Sequence, residues 1–465
     1  MTISENNDLV KMIREELAGR APVPLGVNKE NELIRLVYEI CRRDGKSPDL
    51  ILDSVGIVAP KKERRGDFFR MAKKRLMRGR YPSYGFGREA RLLPLKITGD
   101  HTGCRTWNFG LDPNIIFVEN NVRNFVWTEE FLSFFPRAEV RGISTFRDGT
   151  RSISRVDPVT KYNRRVENLF LIRNKDAFVK ICPCTKGCNR CGYWILNVGF
   201  GCPVDCSYCF LQLYSNAPGL ILPANIEEYY DHVKRFDSKT TVRTRIGTGE
   251  FTDSLALDKY TGYSSKLIPL FRKTKNLVLE LKTKIADIDN VLKEDPHENI
   301  VISWSVNDKE IALEYEKGGA TIEERIDAAR RAAERGYSLG FHFDPIVYSR
   351  CWEDGYKAIV EEIFSIDVVR KNTVWISLGT LRYTPGMKQV AEQRFSDNNL
   401  YYDGEFLADI DGKLRYPRDL RIDIYSKMVN WIRSFDISCW IYLCMEPEEV
   451  WQRTSLDPSD RIWTG

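Results

Sequence analysis

No stretch of the chain approaches the roughly 20 consecutive apolar residues of a membrane span, so no membrane partner is expected. The N-terminal stretch MTISENNDLVKMIREELAG has no apolar run able to act as a signal peptide. Twelve cysteines in 465 residues are too dilute for a disulfide scaffold. Together these absences point to a reducing compartment, the cytoplasm. The chain shows no internal repeat and no low-complexity tract.

What is present is the material of folded cores, with 43% hydrophobic residues in a chain too long for one of them, so two or three domains are expected. The charge is uneven. Residues 61 to 90 carry eleven Lys or Arg against three acids, a window of +8 in a chain of net +5, which leaves −3 for the rest.

The order of patterns divides the chain in three. Residues 1–95 read as a basic helical N-terminal region, with Leu33, Ile34, Val37, Tyr38 and Cys41 at helical spacing. Residues 96–180 read as a small α/β unit, with strands at 114–118 and 166–172 and a helix at 128–135. Residues 181–465 alternate β-rich apolar runs (193–198, 241–246, 277–282, 300–306, 338–343, 374–378 and 440–443) with amphipathic helices. The helix at 321–335 opens on a capping box, Thr321 and Glu324, and ends at Gly336. Such alternation predicts an α/β fold with a parallel sheet, either a full or partial barrel or an open wound sheet, working at the carboxyl ends of its strands.

Cys202, Cys206 and Cys209 follow directly on the first strand of this alternation. Buried cysteines can be simple small hydrophobes, but Gly, Pro, Asp205 and Ser207 make this loop polar and punctuated. Structural zinc normally takes four closed ligands. Three thiolates suit a 4Fe-4S cluster with one iron left open for a substrate or cofactor.

The spacing C-x3-C-x2-C, with Tyr208 before the last cysteine, resembles that of the radical S-adenosylmethionine enzymes. In that superfamily the open iron chelates S-adenosylmethionine, and one electron releases a 5′-deoxyadenosyl radical that abstracts hydrogen from the substrate. A low-potential electron donor is thereby implied as a partner. Gly247-Thr-Gly-Glu250 is similar to the glycine-and-glutamate loop after the second strand of such barrels. Glycines there allow close backbone approach to a ligand, and a carboxylate can hold the methionine ammonium. Longer phrases, 202–212, 245–258, 280–284, 303–307, 340–345 and 375–381, resemble the spore photoproduct lyase family over about 113 to 452. The resemblance implies a partial (β/α)6-type barrel and radical chemistry on damaged DNA. By position, Lys284 would contact the cofactor carboxylate, Ser305 and Thr252 would line its ribose and methionine parts, and Tyr208 would lie on the adenine side.

Other residues have plainer readings beside these. Lys284 can be a solvated strand-end charge, and His342 a satisfied core histidine. Asp344 and Glu446 point toward the site only if the sheet forms as read. Spore photoproduct lyases return hydrogen from a cysteine just after the second strand. Here GTGEFTDSLALD has no cysteine, and Glu250 stands about where the thiol is expected. Cys351 and Cys444 are distant alternatives as donors.

A second cluster, Cys182, Cys184, Cys188 and Cys191, packs four thiols into ten residues. It can close a zinc site or hold an auxiliary iron-sulfur cluster, or form a tight loop of reduced thiols. The basic window, with Phe68, Phe69, Tyr81 and Tyr84 among its charges, can track a DNA or RNA backbone. It can equally be the solvated face of a helix whose Phe68, Phe69, Met71 and Leu76 pack inward. Two further functions stay open: a radical enzyme acting on a small molecule or protein, and a non-catalytic metal-containing nucleic-acid-binding protein.

Overall fold

The computed structural model describes residues 3–58, 65–82, 110–153, 157–175, 178–215, 217–395, 398–409, 411–435 and 437–457. They fall into two compact units. One gathers the described parts of Met1–Cys104 with Tyr348–Arg350 and Leu381–Pro417, and the other gathers Arg105–Val347, Cys351–Thr380 and Arg418–Gly465. In chain order the strands are β1 (Ile115–Glu119), β2 (Glu139–Ile143), β3 (Asn168–Ile172), β4 (Val179–Ile181), β5 (Trp194–Leu196), β6 (Leu220–Pro223), β7 (Thr244–Gly247) and β8 (Leu277–Thr283). There follow β9 (Ile300–Ser305), β10 (Ser338–Ile346), β11 (Thr373–Thr380), β12 (Arg382–Tyr383), β13 (Leu407–Ala408), β14 (Leu414–Arg415) and β15 (Trp440–Leu443).

In the first unit, helices Ile3–Arg20, Val27–Asp44, Pro48–Ser54 and Arg65–Arg80 share one apolar core. The expected stripe Leu33, Ile34, Val37, Tyr38 and Cys41 is buried in it. Gly45 closes the second helix in the left-handed region (φ 63°), its N–H donating to the Cys41 carbonyl. The chain from 381 to 417 joins these helices, although in sequence it falls within the span read as the catalytic region. A buried carboxylate joins it there. Glu39 accepts Arg35 Nε at 2.6 Å, Arg80 Nε at 3.0 Å and Lys388 Nζ at 2.8 Å. Burial alone would push the Glu39 carboxyl up, but Lys388, Arg35 and Arg80 outweigh it and hold the group well below the usual range.

The second unit holds two sheets. A four-stranded parallel sheet, ordered β2-β1-β3-β6, takes its last strand from beyond the cysteine loop. The small α/β unit therefore does not end near 180. The other sheet, ordered β15-β11-β10-β9-β8-β7-β5-β4, is parallel except for the β4/β5 hairpin and curls into a half-barrel. Strand alternation sorts its residues. Leu277, Leu279 and Leu281, then Ile300, Ile302 and Trp304, then Leu339, Phe341 and Phe343 form one buried apolar face, against which helices such as Ile322–Arg335 pack. That helix has the expected capping box and the left-handed Gly336 (φ 103°). The other face carries Arg245, Glu280, Lys282, Ser303, Ser305, His342 and Asp344. Among the described residues no helix is long and apolar enough to cross a membrane.

Replacing Glu39 by Ala leaves three buried cations without their shared carboxylate. We expect a loss of about 3–5 kcal/mol in urea unfolding, with faster amide exchange across 27–44. A loss near zero would show that the helices hold the 381–417 segment without the ion cluster.

Candidate active site

Of the three cysteines of the C-x3-C-x2-C loop, Cys202 and Cys206 lie in one buried cluster with Tyr162, Val204, Leu211 and Ile285, and half-buried Cys209 packs against it beside Phe200, Tyr208 and Phe251. Gly201 turns the loop with φ 94°, where a Cβ would also meet the Leu220 side chain at 2.9 Å. A buried guanidinium fixes the loop from behind. Arg165 donates to the carbonyls of Cys202 (2.7 Å) and Pro203 (3.3 Å) and to Asp205 Oδ1 (3.1 Å), while lying over the Tyr162 ring. Burial pushes all three thiols up; Arg165 opposes it at Cys202, Lys284 at Cys206, and both at Cys209.

None of the described cysteines is in a disulfide. Among the described residues no three Cys, His, Asp or Glu side chains converge on a single metal ion. A cubane does not require that, because each of its cysteines takes a different iron. Three thiols in one dry loop, with two cations set to offset their charge, fit a 4Fe-4S cluster with one open iron.

The far side of the loop is tied to residues 315–316. Ser207 N–H donates to the Tyr315 carbonyl at 2.8 Å, and Cys206 forms a β-bridge with Glu316. The Glu316 carboxylate meets Arg325 Nη2 at 2.6 Å, Lys284 Nζ at 3.5 Å and the Tyr208 hydroxyl in a short hydrogen bond. Burial alone would raise its pKa; Arg325 and Lys284 bring it down to about 2. Tyr208 and Lys284 are thus brought together beside the cysteine loop through a carboxylate that no motif announced.

After β7, the loop from Thr248 to Asp253 is bound to the end of β8. Asp253 accepts the N–H groups of Leu255, Ala256 and Lys284 and the Thr283 hydroxyl, all at 2.7–2.9 Å. Thr248 Oγ1 donates to Ser254 Oγ at 2.7 Å, which accepts Lys282 N–H at 3.0 Å. Both glycines are packed by this chain's own side chains. A Cβ at Gly247 would run into the Tyr193 hydroxyl, and one at Gly249 would lie 3.0 Å from Lys282 Cβ. Thr252 and Glu250 are half-buried in the same loop, and Ser305 is buried with its carbonyl accepting Arg325 Nη1 at 2.9 Å.

Deeper on the polar face, His342 Nε2 lies 2.7 Å from Glu280 Oε1, which also accepts Ser303 Oγ (2.6 Å) and Trp375 Nε1 (3.0 Å). Burial lowers the His342 pKa, so it is a satisfied neutral core histidine. Arg245 stands 3.8 Å from Glu280 and within 4.7–4.9 Å of the Tyr193, Trp375 and Tyr442 rings. Lys282 sits nearer the strand ends. Burial would lower its pKa, but Glu250, Glu280 and Asp344 outweigh it, so the amine stays a cation. Sequence reasoning passed over Lys282, although its alternation with Glu280 on β8 marks it as inward. Glu446 is committed to Arg421 (3.0 Å) and the Tyr425 hydroxyl (2.8 Å). Cys351 is exposed, whereas Cys444 is half-buried.

Of the second cysteine cluster, Cys182 and Cys184 meet with sulfurs 3.7 Å apart. Cys188 Sγ donates to the Met445 carbonyl (3.2 Å), and Cys191 Sγ accepts from Arg245 Nη2 (3.4 Å). Of the basic window, Phe68 and Leu76 are buried, Phe69 and Met71 pack on the same core, and Arg80 is spent on Glu39. That much fits the inward-packed helix. Tyr84 and the charges at 61, 62, 64 and 88 lie outside the described residues.

The sequence profile of the family described as "Spore photoproduct lyase" matches residues 112–418. The spore photoproduct lyase of Geobacillus sp. (strain Y412MC61) is 27% identical over 297 residues, 63% of this chain and 85% of its own length. That of Bacillus subtilis (strain 168) is 27% identical over 301 residues, with the same shares. Two solved structures share the fold with a TM-score of 0.62. One is a spore photoproduct lyase double mutant with bound AdoMet and dinucleoside spore photoproduct, 20% identical, covering 71% of this chain and 98% of that one. The other is spore photoproduct lyase complexed with dinucleoside spore photoproduct, 19% identical, covering 72% and 99%.

Two substitutions test this geometry. Arg165→Gln removes the fork that holds the loop carbonyls, and iron retained after anaerobic reconstitution should fall about 10-fold while circular dichroism is unchanged. Undiminished iron would show that the loop holds itself. Gly247→Ala should cost about 1–3 kcal/mol by overpacking, read by thermal unfolding, and Tyr193→Phe in the same chain should restore part of it. A Gly247→Ala protein of unchanged stability that no longer binds S-adenosylmethionine would instead assign the glycine to the ligand.

Proposed function

Since the chain belongs to the spore photoproduct lyase family, we propose that it is a radical S-adenosylmethionine enzyme acting on a nucleic-acid substrate, with damaged DNA as the leading class. One observation carries the reading: Cys202, Cys206 and Cys209 share a buried loop at the carboxyl end of β5, clamped by Arg165. Bound there, a 4Fe-4S cluster with S-adenosylmethionine supplies a carbon-centred radical when a low-potential donor delivers one electron.

The chain's own residues then bind and orient. Glu250 offers a carboxylate to the methionine ammonium. Lys284, steadied by Glu316, offers its amine to the cofactor carboxylate. Thr252 and Ser305 line the ribose and methionine parts, and Tyr208, held through its hydroxyl, presents its ring on the adenine side. Gly247 and Gly249 let the loop pack closely against Tyr193 and Lys282, where a Cβ would clash. Lys282 is an inward cation on the polar face and is assigned here to a substrate phosphate, which must compete with Glu250, Glu280 and Asp344 for it.

Support for a DNA lesion comes from the two solved relatives, both of which hold dinucleoside spore photoproduct. The feature that separates this chain from them is Glu250 at the expected place of the donor thiol. A carboxyl group cannot give up a hydrogen atom at useful energy, so the product radical must be quenched by another group or the lesion must differ.

Anaerobic turnover with irradiated DNA, undamaged DNA and RNA in parallel tests the reading, with 5′-deoxyadenosine and deuterium transfer as readouts. We expect 5′-deoxyadenosine from the wild type, its loss in Cys206→Ala, and stimulation by irradiated DNA. In Lys282→Gln the concentration of DNA needed for half-maximal rate should rise about 10-fold, with a shallower salt dependence. Turnover indifferent to every nucleic acid would remove the substrate assignment and leave a radical enzyme for another substrate class.

A further inference from the structure

We propose that Cys182, Cys184, Cys188 and Cys191 hold one tetrahedral thiophilic cation, of the zinc class, that fastens the two edges of the half-barrel to each other. The inference uses none of the three cysteines at the radical site and stands or falls separately from the reading above.

The placement of the cysteines comes first. Cys182 directly follows β4, and Cys191 precedes β5 by two residues, so the first and last thiols lie at the base of one hairpin. Cys182 N–H continues the ladder by donating to the Tyr193 carbonyl at 3.0 Å. Two left-handed glycines shape this turn, Gly187 (φ 84°) inside it and Gly192 (φ 74°) directly after its last thiol, and at neither would a Cβ meet anything within 4 Å. Their requirement is therefore conformational, a chain bent sharply just before Cys188 and just after Cys191.

The spacing of the sulfurs comes second. Cys182 and Cys184 approach to 3.7 Å. A tetrahedron with metal–sulfur arms of about 2.3 Å has edges of about 3.8 Å, so this pair already spans one edge. Two neutral thiols gain only a weak hydrogen bond from such closeness. Cys191 receives an N–H from Arg245, the kind of outer contact that orients and stabilises a metal-bound thiolate. In this structure no three of the four thiols converge, and the set is completed when Cys188 turns away from the Met445 carbonyl and Cys191 swings toward the Cys182–Cys184 pair. Four thiolates around a divalent cation leave two negative charges, and Lys180, Lys186, Arg190 and Arg245 lie on or against the hairpin to offset them. The buried Asn189 side-chain nitrogen, beside Cys188, has no hydrogen-bond acceptor, and a thiolate can supply one.

The location gives the cation its purpose. β4 and β15 are the two edges of the eight-stranded sheet. The cysteine loop crosses from one to the chain leaving the other, where Asn189 N–H donates to the Glu446 carbonyl at 3.0 Å and Cys188 lies on Met445. A cation in this loop stiffens the only strap, among the described residues, that joins those edges through backbone hydrogen bonding.

Metal content of chain purified without chelator tests this. We expect about one zinc per chain, kept in Cys206→Ala and lost in Cys184→Ser and in Cys191→Ser. In the wild type, alkylation mapping should find these four cysteines protected until a chelator is added and then reactive together, a readout that needs no variant to fold. Iron lost in the same two variants in place of zinc would overturn the choice of cation. Wild-type chain without metal beyond the radical-site cluster, or zinc undiminished in both variants, would overturn the site itself.

Discussion

A single carboxylate is shared by five neighbouring strands of the half-barrel. Glu280 stands on β8 and is met by Ser303 from β9, His342 from β10, Trp375 from β11 and Arg245 from β7. A buried charge in a dry interior must be surrounded or expelled. Here it is surrounded by one group from each strand, which fixes how far the sheet can curl. The space at Gly340, where a Cβ would strike Trp375 and Ser303, shows how closely the strands are drawn in. Two residues further along β8, Lys282 rises from this floor toward the strand ends, so the candidate substrate cation is positioned by the same alternation that seats the carboxylate.

Glu39, Glu280 and Glu316 follow one scheme. Each is a buried carboxylate receiving cations or donors from elements far apart in sequence: Glu39 from Lys388 at a separation of 349 residues and Glu316 from Tyr208 at 108. Such clusters add little net stability over an apolar core, but any other arrangement leaves a charge without a partner. They select one packing of the helices, one curl of the sheet and one seat for the cysteine loop.

The parts legible in the sequence were those encoded locally. Period-two runs at 277–282, 300–306 and 338–343 became β8, β9 and β10, because a strand packed between helices and a polar interior must alternate. The Thr321 capping box and Gly336 delimit their helix for reasons contained within it. The close spacing of Cys202, Cys206 and Cys209 already placed the three thiols in one loop. Arg165 and Asp253 were not legible, because an isolated Arg or Asp carries no motif and its role is set by carbonyls and N–H groups that meet it only on folding. β6 escaped for a related reason: four apolar residues have no period of their own, and only the open edge of β3 makes them a strand. Gly247 was found for a ligand's sake, whereas the space above it belongs to Tyr193, a contact between strands that spacing within one segment cannot reveal.

The segment bearing the three cysteines begins at β5 in the half-barrel and ends at β6 in the small parallel sheet. Phe200 and Ile221 exchange backbone hydrogen bonds of 3.0 and 2.9 Å where its two ends pass. The loop is thus a tether between two separately built sheets, and Arg165, reaching it from just ahead of β3, grips it from the second of them. Mechanically, the distances among the sulfurs are a gauge of how the two sheets stand to each other, and a cluster of fixed size would lock that gauge at one reading.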